Sequence, residues 1–234
     1  MGDIGSAFGE AASLILAPDG TLYRIVLLSL QVSLTAVAAA TAIGLPLGAA
    51  LAIRSFPGRT VLLVTLNALM GLPPVVAGLI VYLLLSRAGP LGTMGLLFTP
   101  AAMVVAQTIL VTPIIAGLSR QVLEDAWHEY EEQLRSLGAT PATAAATLLW
   151  DTRYSLVTVL LAGFGRAAAE VGAVMIVGGN IDGVTRVMTT TISLEASKGD
   201  LPLALGLGII LVTVVFAINA AAQIIKWAAV RRYG

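Results

Sequence analysis

EEQLRSLGATP, residues 131–141, is a charged island in a chain that otherwise reads as membrane. Leading into it, Leu123, Trp127, Tyr130, Leu134 and Leu137 recur at steps of four, three, four and three, the apolar stripe of an amphipathic helix. Glu124, Asp125, His128, Glu131, Glu132 and Arg135 fill most of the remaining surface, with Glu131 and Arg135 at helical i, i+4 spacing. Gly138 then supplies the left-handed residue on which helices end. Thr140 and Pro141 make a cap and first position for a second short helix reaching residue 149, and Asp151 is placed to cap the span that follows. The pattern is helix, tight turn, helix at a membrane face. A connector resting on lipid headgroups is usually rich in Lys and Arg. This polar face is mainly acidic, which favours a protein partner.

Composition sets the frame around the island. The 234 residues are 58% hydrophobic and 11% charged, with mean hydropathy +0.94, far too apolar for an ordinary soluble domain. The 13 basic and 13 acidic residues cancel, so no global field attracts nucleic acid. With no cysteine, disulfides, thiol catalysis and thiolate metal sites are excluded. The first twenty residues carry Asp3, Glu10 and Asp19 but no Lys or Arg, so they lack the basic start of a cleavable signal peptide.

A bilayer core of about 30 Å takes about 20 apolar residues in a helix. Five segments qualify: 22–53, 61–85, 96–118, 156–177 and 201–230. The expected architecture is therefore all-α and polytopic, with five transmembrane helices and a helix pair between the third and fourth. It divides into an amino-terminal segment 1–21, a single membrane domain 22–230 carrying the charged loop 119–155, and a tail 231–234.

Orientation follows from basic residues near the span ends. With the carboxyl terminus inside, that face receives eight of them: Arg54, Arg59, Arg120, Arg135, Arg153, Lys226, Arg231 and Arg232. The opposite face receives four, Arg24, Arg87, Arg186 and Lys198, and Arg166 falls within a span. The amino terminus is expected outside, and the charged loop and carboxyl terminus in the cytoplasm.

Polar and helix-breaking residues inside the spans mark candidate sites. Gly71, Pro73 and Pro74 interrupt the second span, either as a packing kink or as a bend beside a translocation path. Arg166 and Glu170 lie one helical turn apart in the fourth, where an ionised side chain costs about 2.5–3.5 kcal/mol on insertion scales. They read as a self-neutralising pair that is structural or positions a gate, with placement of Arg166 near an anion path as the other reading. Gly165, Ala168, Ala169 and Gly172 make a small-residue face for close helix packing. The outer segment 181–200 reads as a short helix dipping toward the membrane. Its Thr189, Thr190 and Thr191 could donate hydrogen bonds to an oxyanion without a fixed charge. His128, the lone histidine, reads as a surface residue rather than a metal ligand or catalytic base.

Glu132 followed by Gly138 six positions later, with Arg135, Ser136 and Leu137 between, resembles the cytoplasmic coupling loop of permease subunits of binding-protein-dependent ABC importers. Gln133 and Leu134 stand where that loop has two alanines, and Trp150 and Asp151 where it has Leu-Pro. SFPGR at 55–59, GLPPVVAGL at 71–79 and GRAAAEVGAVMIVGGN at 165–180 resemble the molybdate, sulfate and tungstate branch. The run GGNIDGVTRVMTTTISLEASKGD at 178–200 is most similar to tungstate permeases.

The resemblance implies a type I ABC importer permease fold in the cytoplasmic membrane, and import of an oxyanion, tungstate before molybdate or sulfate. It assigns Glu131, Glu132, Arg135, Leu137, Gly138 and Pro141 to ATPase coupling, and Pro73, Pro74, Arg166, Glu170 and Thr189 to Thr191 to the path or its gate. The chain has no G-x-x-x-x-G-K-[ST], so it does not cradle ATP phosphates by that device. ATP and Mg²⁺ are expected in a separate ATPase, and no cofactor or metal is expected on this chain. The implied partners are a second copy of the permease, two ABC ATPase subunits, an external oxyanion-binding protein and membrane lipid. An ion-coupled secondary transporter or channel would explain the broken helices but not the acidic handle. An intramembrane enzyme has less support, since H-E-x-x-H is absent and the histidine lies outside the spans.

Overall fold

The computed structural model describes residues 20–233 together with Gly5, Gly9, Ala12 and Ser13. Most of the amino-terminal segment 1–21, and Gly234 of the tail, lie outside the described residues. The described residues form nine α-helices and no strand: α1 Gly20–Ile53, α2 Arg59–Met70, α3 Pro74–Leu85, α4 Pro100–Ser136, α5 Pro141–Asp151, α6 Arg153–Ala168, α7 Gly172–Gly178, α8 Met188–Lys198 and α9 Leu201–Tyr233. A single 3₁₀ turn, Gly92–Met94, lies between α3 and α4.

Three of these, α1, α4 and α9, are long and apolar enough to cross a bilayer as single helices. The second expected span is a bent pair, α2 and α3, turning through 102°. Pro73, in extended conformation, and Pro74 at the first position of α3 enforce that break, because neither nitrogen has a hydrogen to donate. The fourth expected span is also broken, by 57° between α6 and α7, although no proline marks the place. Five crossings result if each bent pair counts as one.

The centre of the fold is α1 packed along α4. Glycine permits the close approach: a Cβ on Gly48 would lie 2.2 Å from Ser119 Oγ and 2.8 Å from the Ala116 carbonyl oxygen. Val32 of α1, Val81 of α3, Met103 and Leu110 of α4 and Val174 of α7 form one buried cluster. Val37 of α1, Ile115 of α4, and Val159 and Phe164 of α6 form a second beside it. Helix α9 joins through Leu207 and Ile210, which meet Leu22 and Ile25 of α1 and Met188 of α8.

Outward, the molecule presents Leu27, Leu34, Ile43, Val64, Leu83, Val212 and Phe216. Large apolar side chains exposed on so many helices suit lipid and not water. Segment 181–200 contributes the helix α8, as its sequence predicts.

Candidate coupling and translocation sites

The apolar third span and the charged helix after it are one continuous helix. Thr99 caps its start by accepting from the Ala102 amide at 3.5 Å, and Pro113 does not end it. At 1.5 Å per residue, 37 residues make about 55 Å. A hydrocarbon core is about 30 Å thick, so the shaft projects well beyond one face.

Its projecting end is anchored as the stripe predicts, up to a point. Leu123 and Ala126 are buried, and Trp127, Tyr130 and Leu134 pack with them against Ala49 and Ala52 of α1 and Leu148 of α5. Leu137 departs from that expectation. It is 81% exposed, because the helix has ended at Ser136 and the backbone has turned away.

The turn itself matches the expectation. Gly138 has φ 69°. Its amide donates to the Arg135 carbonyl, and the Ala139 amide donates to the Leu134 carbonyl, each at 3.0 Å. These two bonds are the Schellman pair that closes a helix on a left-handed residue. Thr140 accepts the Thr143 amide at 3.2 Å, and Pro141 opens α5. Asp151 ends α5 without capping α6; Thr152 occupies that junction and sends its hydroxyl back to the Leu148 carbonyl.

Glu131 and Arg135 pair at 2.5 Å, and Glu132, Arg135 and Leu137 all face solvent. Exposed Trp150 lies under the Arg153 guanidinium, 4.7 Å from the ring centre. The negative charges of Glu129 and then Asp151 push the Tyr130 phenol above its ordinary range. His128 is exposed. The helix pair thus presents a mixed acidic and apolar surface, on which Leu137 and Trp150 are exposed.

Glu124 does not belong to the solvated face where its sequence position puts it. It bridges Arg59, at 2.6 Å, and Arg120. Arg59 Nε also donates to the Leu51 carbonyl at 2.8 Å. The end of α1, the start of α2 and the α4 shaft are therefore tied at one ionic node.

Within the spans, the break after α6 gathers the polar side chains. Arg166 Nη1 donates to Glu170 Oε2 at 2.6 Å, while Glu170 Oε1 accepts the Ala173 amide at 3.0 Å. Thr189 Oγ1 donates to the Glu170 carbonyl at 2.9 Å. Gln107, about two turns into α4, donates to the Ala167 carbonyl at 3.0 Å. Its Oε1 is buried and unpaired. Ser29, Ser33, Gln107, Glu170 and Thr189 share a cavity of about 20 Å³, enough for about one water.

Thr190 and Thr191 are buried nearby and bond the Val187 backbone, so their hydroxyls are engaged within the chain. Pro73 and Pro74 form the bend of the other broken pair. Helix α3 packs on α7, where Gly78 meets Ala173 so closely that a Cβ would fall 2.7 Å from the Ala173 Cα. The two bent pairs thus meet through their second halves.

Helices broken in two places, a shaft longer than a bilayer core is thick and a capped helix pair at its tip are the architecture of a membrane transport subunit. The chain belongs to the family of ABC transporter permease proteins. It is 43% identical to a probable anion ABC transporter permease protein of Haloferax volcanii over 204 residues, 85% of this chain and 88% of that one. It is 42% identical to the tungstate uptake system permease protein TupB of Peptoclostridium acidaminophilum over 217 residues, 93% of this chain and 95% of that one. The sulfate transport system permease protein CysW of a Synechocystis strain is 30% identical over 191 residues, 79% of this chain and 69% of that one. No protein-family model matches the chain.

Proposed function

We propose that the chain is the membrane subunit of an importer that carries tungstate across the cytoplasmic membrane, driven by a separate ATPase. Near full-length similarity to the tungstate permease of P. acidaminophilum carries the substrate reading. The sulfate permease relative favours a second reading, in which the cargo is sulfate or the related oxyanion molybdate.

The working unit is a homodimer, since five crossings per copy leave the pathway to be completed along a two-fold axis. Two ATPase subunits engage the α4–α5 turn, with Leu137, Trp150 and the flanking acids as the contact. ATP-driven closure of the ATPases would move the two shafts and rebalance the broken spans between outward-open and inward-open states. The amino terminus and α8 face outside, where an oxyanion-binding protein docks, and the carboxyl terminus faces the cytoplasm. Pro73, Pro74, Arg166 and Glu170 position the gate. Arg166 is held by Glu170 and so is not a free cation that would trap the cargo.

Uptake of tungstate into proteoliposomes holding the permease, its ATPase and its binding protein tests the reading. ATP-dependent uptake that sulfate does not outcompete is expected. A binding protein and complex that prefer sulfate would overturn the substrate assignment.

A further inference from the structure

At the end of α1 opposite the helix pair lies a second cavity, of about 220 Å³, where Arg24, Gln31, Asp182 and Arg186 stand among the apolar Ile25, Leu28 and Val184 and beside Thr21. Its side of the membrane follows from α1 alone. Ile53 packs with the α5 residues Ala145 and Leu148, and Arg24 is about 40 Å away from it along one helix, at 1.5 Å per residue. That exceeds the thickness of a hydrocarbon core, about 30 Å. The cavity therefore opens on the face remote from the coupling turn.

Its two guanidiniums are under-used. Arg186 Nη1 pairs with Asp182 at 3.2 Å, whereas its Nε is buried without a hydrogen-bond partner. Arg24 is exposed and spends one N–H on the Gly20 carbonyl at 3.3 Å. A guanidinium has five N–H donors, so most of the donors here are unassigned. Two guanidiniums and one carboxylate among the described lining residues leave one net positive charge. Thr21 and Gln31 add neutral donors.

We infer that this cavity is a receiving site for a tetrahedral oxyanion on the outer face. Planar, always-charged guanidiniums match such an anion through paired N–H donors. The space is far more than the about 10–15 Å³ that one water needs, which leaves room for the anion. Partial exposure and the Asp182 counter-charge keep the site weak, as an anion that must move on requires. The smaller cavity lined by Ser29, Ser33 and Thr189 shares α1 with it, and the Met188 amide donates to Ser29 Oγ at 2.8 Å in the wall of that smaller cavity. The site has this role only if the cargo is an oxyanion, as proposed above.

The test uses the assembled permease and ATPase complex without binding protein, with tungstate as the probe, in equilibrium binding at low salt. Wild type is expected to bind weakly, and Arg24→Gln combined with Arg186→Gln to bind about tenfold less tightly, since each change removes charge-assisted hydrogen bonds. Arg24→Gln alone is expected to give part of that loss. It removes only the bond to Gly20, so it serves as the test if the double variant fails to assemble.

Equal tungstate binding by wild type and R24Q overturns the assignment, as does wild type that binds none. Loss of binding-protein association with tungstate binding unchanged also overturns it, and would make the arginines a protein contact. In every case, tungstate uptake by the complete wild-type system reports separately on the proposed function.

Discussion

Glu170 holds Arg166 from beyond the end of the helix that carries Arg166. Helix α6 stops at Ala168, yet Arg166 Nη1 and Glu170 Oε2 meet at 2.6 Å across the 57° break. The second Glu170 oxygen takes the Ala173 amide of α7. One carboxylate thus neutralises a cation, satisfies a backbone donor freed by the break and fixes the angle between two half-helices. Its side chain is only 2% exposed and that of Arg166 is 31% exposed, so the acid is the member that cannot be left unpaired.

Replacing Arg166 with Gln strands that acid. Breaking a buried pair costs about 3–5 kcal/mol, and the partial exposure of Arg166 places this case toward the low end or below it. Thermal unfolding of the solubilised complex should show R166Q destabilised. R166Q combined with Glu170→Gln should recover part of the loss, because the amide leaves no buried charge. Equal destabilisation by the single and double changes would remove the pair from the account.

Gly48 sets the distance between α1 and α4. Gly48→Val would drive the helices apart against the Ala116 backbone, at a cost of about 1–3 kcal/mol or more. Lower yield and a lower unfolding temperature are expected, with Gly20→Ala, which meets open space, as the silent control.

Gly138→Val places a β-branched residue at φ 69°, which costs about 1–2 kcal/mol locally. The membrane core should survive. The Schellman turn should not, and ATP hydrolysis should continue while uptake falls. Coupling ratios equal to wild type would count against a coupling role for the turn.

Much of this could be read along the chain, because the signals are local. Gly138, Thr140 and Pro141 each decide their own backbone conformation, and Pro73 and Pro74 break the second span wherever they are placed. The break after Ala168 was not legible in this way. No proline announces it, and it is held by side chains at the break: Glu170 accepts the Ala173 amide, Gln107 donates to the Ala167 carbonyl and Thr189 to the Glu170 carbonyl. Glu124 misled for the same reason: its helical position lies on a polar face, but its partner Arg59 comes from another element 65 residues away. Gln107 was a fainter missed signal, one polar amide in an apolar run. The pairing of Arg24 with Arg186 in one cavity depends on a contact between the first helix and a loop far along the chain. Leu137 continued the apolar stripe by number, yet the end of the helix turned it outward.

That exposed leucine gives the most direct test of the central claim, that a motor outside the membrane works this chain through the tip of α4. The measurement is tungstate uptake by proteoliposomes with and without ATP, for wild type and for Leu137→Asp. A charge there disturbs no packing, since Leu137 is 81% exposed. The prediction is ATP-dependent uptake by wild type and its loss in L137D, together with loss of ATPase co-purification while the permease itself unfolds at an unchanged temperature. Uptake by the permease alone, without ATPase or ATP and driven by an ion gradient, would contradict the account.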